Sequence, residues 1–351
     1  MFATLHHNLT RELQHCLPAA SKPQVKNLAL LTQALVFSPD CHLANLALRL
    51  PIPGQRESLT QRVSRFLDNC QVTRTRHYLP LVGHLFAHWP DREVNLVMDR
   101  TDLEDEKSIL LLAAAFKHRA IPLTWRILPF GGTSADLHIA LLREIVPYLP
   151  PSARVTFFGD CEFRAVKLQR YCRDQHWHWQ VGVKSDTLFR RENAEWQALR
   201  TLTVAPEKRR YVHTITLTRE HAWTGCHLMV DWSRDWDTPR YVVCDQPTHR
   251  ASWRRGRKRF WIEPTFRDWK SYGFDIETSH VLQMHRLERL LLAINIATLW
   301  MLHLGQWVVS TGRSRLLTAD HRRDYSRFRL GRDYAQRGIF SGWPIPVQLH
   351  R

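Results

Sequence analysis

The order of apolar runs between Glu93 and Val183 constrains this 351-residue chain more than any other feature. Residues 94–98 are short and apolar and lead into Asp99; 108–116 form a longer apolar run; 121–128 alternate. Short connections make these three an antiparallel meander. Gly131 and Gly132 form a loop, and Ser134 opens a stretch whose Leu137, Ala140, Leu141 and Ile145 keep the helical period. Residues 155–158 read as a fourth strand ending at Gly159-Asp160, 163–172 as a helix, and 177–183 as a fifth strand.

That order, three strands, helix, strand, helix, strand, is the order of the RNase H-like fold. An α/β chain follows, with a mixed five-stranded sheet flanked by helices. Its core is expected in two parts, 90–183 and 251–312. Between them, 184–250 returns to strand texture at 211–218, 226–230 and 241–244, a β-rich insertion. Residues 1–89 read as short helices over 25–36, 43–50 and 59–67, the last with Ser58 and Gln61 in capping-box positions. Arg62 and Arg65 ride on that helix. Such a region fits a helix-turn-helix-like DNA-binding module, and equally a helical cap on the main domain. Later helices are predicted over 259–272 and 282–309, and 313–351 form a basic tail, irregular or with short helices. The longest apolar run, 290–304, contains Asn295 and His303 and is too short to span a bilayer, so it reads as a buried helix.

Charge narrows the partner. Fifty Lys and Arg stand against 33 Asp and Glu, a formal net charge of +17. A basic surface of this size draws in phosphates and releases their counterions, so nucleic acid is favoured over an anionic membrane or a ribosomal-type role. An apolar fraction of 44% supplies a core and excludes a disordered chain. Seven scattered cysteines without a CxxC pair point to a reducing compartment, and residues 1–9 carry no signal-peptide pattern. Cys41-His42, His176 with His178, and Cys226-His227 lack the spacing of a zinc site.

Metal-assisted phosphodiester cleavage calls for a few carboxylates that hold two ions roughly 3.5–4 Å apart. Asp99 and Asp160 stand at the ends of predicted strands, where such a site needs them. Each alone also reads as a turn or capping residue. Asp102, Glu104, Asp105 and Glu106 read as a solvated acidic loop, with Asp102 a candidate supporting residue. Arg259, Glu263 and Lys270 are spaced to share one helical face, with Ile262, Phe266 and Trp269 opposite as core. Pro264 fits if Glu263 lies near the helix start. Upstream, Arg254, Arg255, Arg257 and Lys258 form a dense basic run with Trp253, suited to tracking a DNA backbone with one stacked base.

These motifs resemble the DDE transposases of the insertion-sequence-four family. That family carries a Tyr–Arg–Glu–Lys signature, matched here by Arg259, Glu263 and Lys270 at the family's spacings, with Gly256 at the Tyr position. Met98-Asp99-Arg100-Thr101-Asp102 resembles the first-Asp motif. Gly159-Asp160-Cys161-Glu162-Phe163 resembles the second, usually Asp-Arg-Gly-Phe or a variant. Residues 119–125 resemble the third-strand region. The resemblance runs from about Arg56 to Gly338, and the family also has a β-strand insertion between its second Asp and its Glu.

The resemblance implies that Asp99, Asp160 and Glu263 are catalytic and bind two Mg²⁺ ions, with Mn²⁺ able to substitute. Arg259 and Lys270 would grip phosphates. The partners implied are transposon-end and target double-stranded DNA, with a homodimer in the synaptic complex, no membrane, and a cytoplasmic, nucleoid-associated place in a bacterium. Hairpin-forming relatives hold a flipped base on an insertion-domain Trp, for which Trp232, Trp236 and Trp253 are candidates. The activity implied is cut-and-paste cleavage and strand transfer. The rival readings are a decayed end-binding protein or regulator, and an RNase H-fold nuclease without strand transfer.

Overall fold

The computed structural model describes residues 1–104, 106–234, 236–319 and 325–349; Asp105 of the acidic loop lies outside them. The chain opens with α1 (Phe2–Cys16), α2 (Lys22–Phe37), α3 (Leu43–Ala47), α4 (Arg56–Asp68), α5 (Arg74–His77) and α6 (Leu79–Ala87). There follow β1 (Glu93–Leu103), β2 (Lys107–Phe116), β3 (Arg119–Pro129), α7 (Ala135–Ile145), β4 (Arg154–Gly159), α8 (Val166–Asp174) and β5 (His178–Val183). β1 pairs antiparallel with β2, β2 antiparallel with β3, and β4 runs parallel to both β1 and β5. The strand order β3-β2-β1-β4-β5 is RNase H-like. β2 is buried without interruption from Ser108 to Ala115, because both faces of the sheet are covered.

The insertion supplies β6 (Leu188–Arg190), β7 (Gln197–Ala198), β8 (Arg209–Leu217), β9 (Trp223–Asp231) and β10 (Arg240–Cys244). It does not form a sheet of its own. β10 pairs antiparallel with β5, so the central sheet continues through β10-β9-β8-β6-β7 to ten strands. The insertion is therefore fixed rigidly beside β4 and β5.

After the sheet come α9 (Arg250–Gly256), a 3₁₀ stretch (Arg257–Ile262), α10 (Glu263–Trp269), α11 (Met284–Ser310) and α12 (Arg327–Ser341). α11 is long and apolar enough to cross a membrane by length and composition, but 72% of its most apolar window is buried inside the protein. It packs on α2, α4, α12 and β3. Its buried Arg289 donates to the carbonyls of Leu67 (2.9 Å) and Val72 (3.2 Å), satisfying acceptors left over where α4 ends. The N-terminal helices thus share one hydrophobic core with the sheet.

Two local expectations differ from the structure. α4 starts at Arg56 with Gln55 at its N-cap, so Ser58 lies inside the helix and caps nothing; Glu57 already occupies the first turn, where a carboxylate suits the helix dipole. The basic tail is not irregular throughout. Phe328, Leu330, Tyr334, Ala335 and Ile339 give α12 an apolar stripe that docks on α11. Their crossing is close because two glycines face each other's backbones. A Cβ on Gly331 would overlap the Met301 carbonyl, and one on Gly305 the Arg327 carbonyl.

α10 is only seven residues long and needs outside anchors. Ile262 is fully buried, Trp269 nearly so, and Thr265 donates to the Ala120 carbonyl at 2.9 Å. Arg119, at the start of β3, makes a buried ion pair with Asp268. Burial pushes the Arg119 guanidinium down to about 10.

Two expected outcomes follow. Gly331→Val should destabilise the protein by about 2–3 kcal/mol in chemical denaturation, since backbone and not a mobile side chain blocks the new atoms; an unchanged midpoint would refute the close crossing. Asp268→Ala should cost about 3–5 kcal/mol by stranding Arg119, and Arg119→Met with Asp268→Leu should recover most of it. Independent, additive losses in the double variant would contradict the pairing.

Candidate active site

Asp99 does not stand at the end of β1, as its sequence suggests, but in its middle. The β1–β2 ladder continues to Leu103↔Lys107, with Asp99 opposite Leu111. The parallel β1–β4 ladder, however, stops at Val97↔Phe158. Carrying that register forward two residues sets Asp99 level with Asp160. Asp99 therefore lies where the sheet opens on one side only. Its carboxylate accepts from the Arg100 N–H at 2.8 Å, and Asp160 accepts from the Glu162 N–H at 2.8 Å, capping the turn Cys161–Phe163.

The helix predicted over 259–272 is broken. Arg259 sits in the 3₁₀ stretch, Glu263 opens α10, and Lys270 lies past its end with a non-helical backbone. The cause is Pro264, which has no N–H to continue a helix through this point and instead starts one. Arg259, Glu263 and Lys270 therefore do not share a continuous α-helical face. Glu263 is about half-exposed and lies 3.9 Å from Arg267, one turn on.

Electrostatics joins the three carboxylates. Burial pushes Asp99 up to about 6; the charges of Asp160 and Glu263 add to the shift, while the Arg100 N–H and Arg259 oppose it. Between 3.8 and about 6 the folded, metal-free protein holds a proton there that the unfolded chain has lost. This group's contribution to stability accordingly falls as pH rises through that window. Among the described residues, no three His, Cys, Asp or Glu side chains stand close enough together to enclose a metal as placed. The donor set still suits a hard divalent cation: all-oxygen ligands, one of them reluctant to ionise without added positive charge.

A cleft of about 1000 Å³ adjoins Asp160, between the 3₁₀ stretch and the insertion. Arg257 and Arg259 line it, as do Lys184, Arg200, Arg240 and Trp236. Arg240, at the start of β10, feels Arg259 and Glu263, and its guanidinium is lowered first by burial and then by Arg259. Sequence reasoning passed over Lys184, Arg200 and Arg240, because only the β5–β10 pairing brings the insertion to the site.

Other expected DNA contacts are distributed differently. Trp253 lines the cleft, but its Nε1 donates to Asp231 at 2.8 Å and the Arg209 guanidinium covers its ring at 3.7 Å, so its face is already stacked. Trp236 lines the cleft and Trp232 does not; the Trp232 Nε1 donates to the Trp236 carbonyl at 2.9 Å. Lys258 faces Glu93 and Asp91 instead of the cleft. Arg254 is exposed, and Arg255 borders a small hollow with Asp245. Lys270 holds the Asp102 carbonyl and pairs with Glu277 at 3.3 Å. Arg62 and Arg65 line a separate cleft on α4, where Arg62 donates to Asn27 at 3.0 Å.

Glu162 belongs to the supporting scaffold. It accepts from Thr133 and lies 3.4 Å from Arg100, which also reaches the Gly131 carbonyl. Thr133 Oγ1 lies 2.6 Å from His138 Nε2, and burial holds His138 down to about 4, so the ring is neutral and donates to Thr133. The network ties β1 to the Gly131-Gly132 loop and to the turn after Asp160.

No curated protein matches the chain. The solved piggyBac transposase synaptic complex with hairpin DNA is similar, with 8% identity and a TM-score of 0.47, over 94% of this chain and 76% of that one. Residues 131–300 match the family described as Transposase DDE domain, a stretch that includes Asp160 and Glu263 and begins after Asp99.

Proposed function

We propose that this protein is a DDE transposase of the insertion-sequence-four type, which binds transposon ends and cuts and joins DNA by cut-and-paste transposition. The observation that carries the reading is the convergence on Asp99. The β1–β4 register sets it beside Asp160, and the charge of Glu263 reaches it from α10. Two of the three carboxylates also lie inside the stretch that matches the transposase DDE domain.

DDE transposase domains generally use divalent metal ions. Asp99, Asp160 and Glu263 would hold two Mg²⁺, which supply a polarised phosphorus and a stabilised leaving oxygen. The remaining chemistry falls to the chain's own cations. Arg259 and Arg240, which both line the cleft, would present donors to the phosphate flanking the scissile bond. Arg200, Arg257 and Lys184 extend the positive lining away from the carboxylates, so the bound strand is drawn along the cleft. Trp236 lines the cleft with the Arg240 guanidinium over its ring at 4.0 Å, so an unpaired base would stack on that face only by displacing Arg240. Lys270 keeps the end of β1 in place and stands within reach of a phosphate only if it leaves Glu277. Two copies of the chain, each holding one element end, would make the synaptic complex.

With Mg²⁺ or Mn²⁺, the protein should nick duplex DNA taken from the borders of its own element and join the freed 3′ ends to target DNA. Asp160→Ala should lower cleavage by roughly 10³-fold or more while end binding in a gel shift persists. Full cleavage by Asp160→Ala would remove Asp160 from the site. Binding without cleavage by the wild-type protein would favour the decayed regulator, and cutting without joining would favour a plain nuclease.

A further inference from the structure

The Tyr position of the family signature holds Gly256, and the structure shows what takes up the space. A Cβ on Gly256 would overlap the amide nitrogen of Gln180. Gln180 lies on β5, opposite Phe158 of β4 and two register positions before Asp160. It is only 8% exposed, yet it lines the cleft together with Asp160, Gly256, Arg257 and Arg259. Among the described residues no group hydrogen-bonds its side-chain amide. The residue is packed on its other sides and its amide opens onto the cleft, where it is placed to meet an incoming acceptor.

We propose that Gln180 is a DNA contact of this chain, its Nε2 donating to a non-bridging phosphate oxygen of the strand that enters the cleft, through the gap that Gly256 leaves open. This rests on the transposase reading above. The surroundings select a phosphate over a base edge. Arg257 and Arg259 from the 3₁₀ stretch and Arg240 from β10 line the cleft together with the amide. Asp231, a carboxylate on the insertion wall, is already taken by Arg209 (2.9 Å), Ser233 (3.0 Å) and Trp253 (2.8 Å). Amide donors commonly position the nucleic acid backbone in this way. Gly256 ends α9 with an ordinary helical backbone, so it is needed for its lack of a side chain and not for an unusual conformation.

The test measures dissociation constants of the full-length protein, without metal, for a duplex from the element's border. The duplex is used intact and with single neutral methylphosphonates at the phosphates beside the cut. Gln180→Leu should weaken binding about three- to tenfold. Gly256→Ala, which displaces the amide without straining the helix, should weaken binding by a similar factor. The two together should lose no more than either alone. One methylphosphonate should weaken the wild type and leave Gln180→Leu unaffected. Melting temperatures check folding, and Gly256→Ala carries the test if Gln180→Leu is unstable. Unchanged affinity in a folded variant, additive losses, or a loss that follows a base change and not a phosphate change would overturn the inference alone. A wild-type protein that binds no border DNA would overturn the transposase reading with it.

Discussion

The burial of Asp99 level with Asp160 is the constraint on which the rest of the site depends. The β1–β4 register, carried two residues past its last pair, sets Asp99 level with Asp160, and the charge of Glu263 reaches Asp99 from α10. Burial first, and then the charges of Asp160 and Glu263, push Asp99 up to about 6, so its ionised form works against folding. It is tolerated because the surrounding structure leaves the chain no other path. Leu96–Met98 are buried within β1, the Arg119–Asp268 pair fixes α10, and the Arg100–Glu162–Thr133 network ties down the turn after Asp160. Rigid support around a buried carboxylate that is reluctant to ionise suits a site completed by cations.

The extension of the sheet has a similar consequence. By pairing β10 with β5, the insertion becomes a wall of the cleft instead of a tethered appendage. Its Arg200, Arg240 and Trp236 then line the same cleft as Arg257 and Arg259. Positive potential is concentrated beside Asp160.

Much of this was legible in the residues. Short apolar runs separated by tight connections gave the strand order of the core, because burial on both faces leaves little room for polar interruption. The spacing of Glu263 and Lys270 from Arg259 marked the third motif. What escaped was long-range. Arg100 to Asp102 look like loop, yet they remain strand because β2 pairs with them. Pro264 divides an apparently continuous helical face. Gly256 looks like a lost contact until the Gln180 side chain, 76 positions earlier, is seen to occupy its place. Trp253 looks like a free stacking platform until Arg209 is found on its face. In each case a partner distant in sequence decides the outcome, and no local pattern encodes it.

The central claim is that Asp99, Asp160 and Glu263 act as one cation site. Titration of the full-length protein with Mn²⁺, followed by the loss of the free-ion electron paramagnetic resonance signal, tests it most directly. Binding should be saturable and should tighten as pH rises through about 6, when Asp99 gives up its proton, and Asp99→Asn, Asp160→Asn and Glu263→Gln should each weaken it. Mn²⁺ affinity that is flat across that pH range and indifferent to all three substitutions would contradict it.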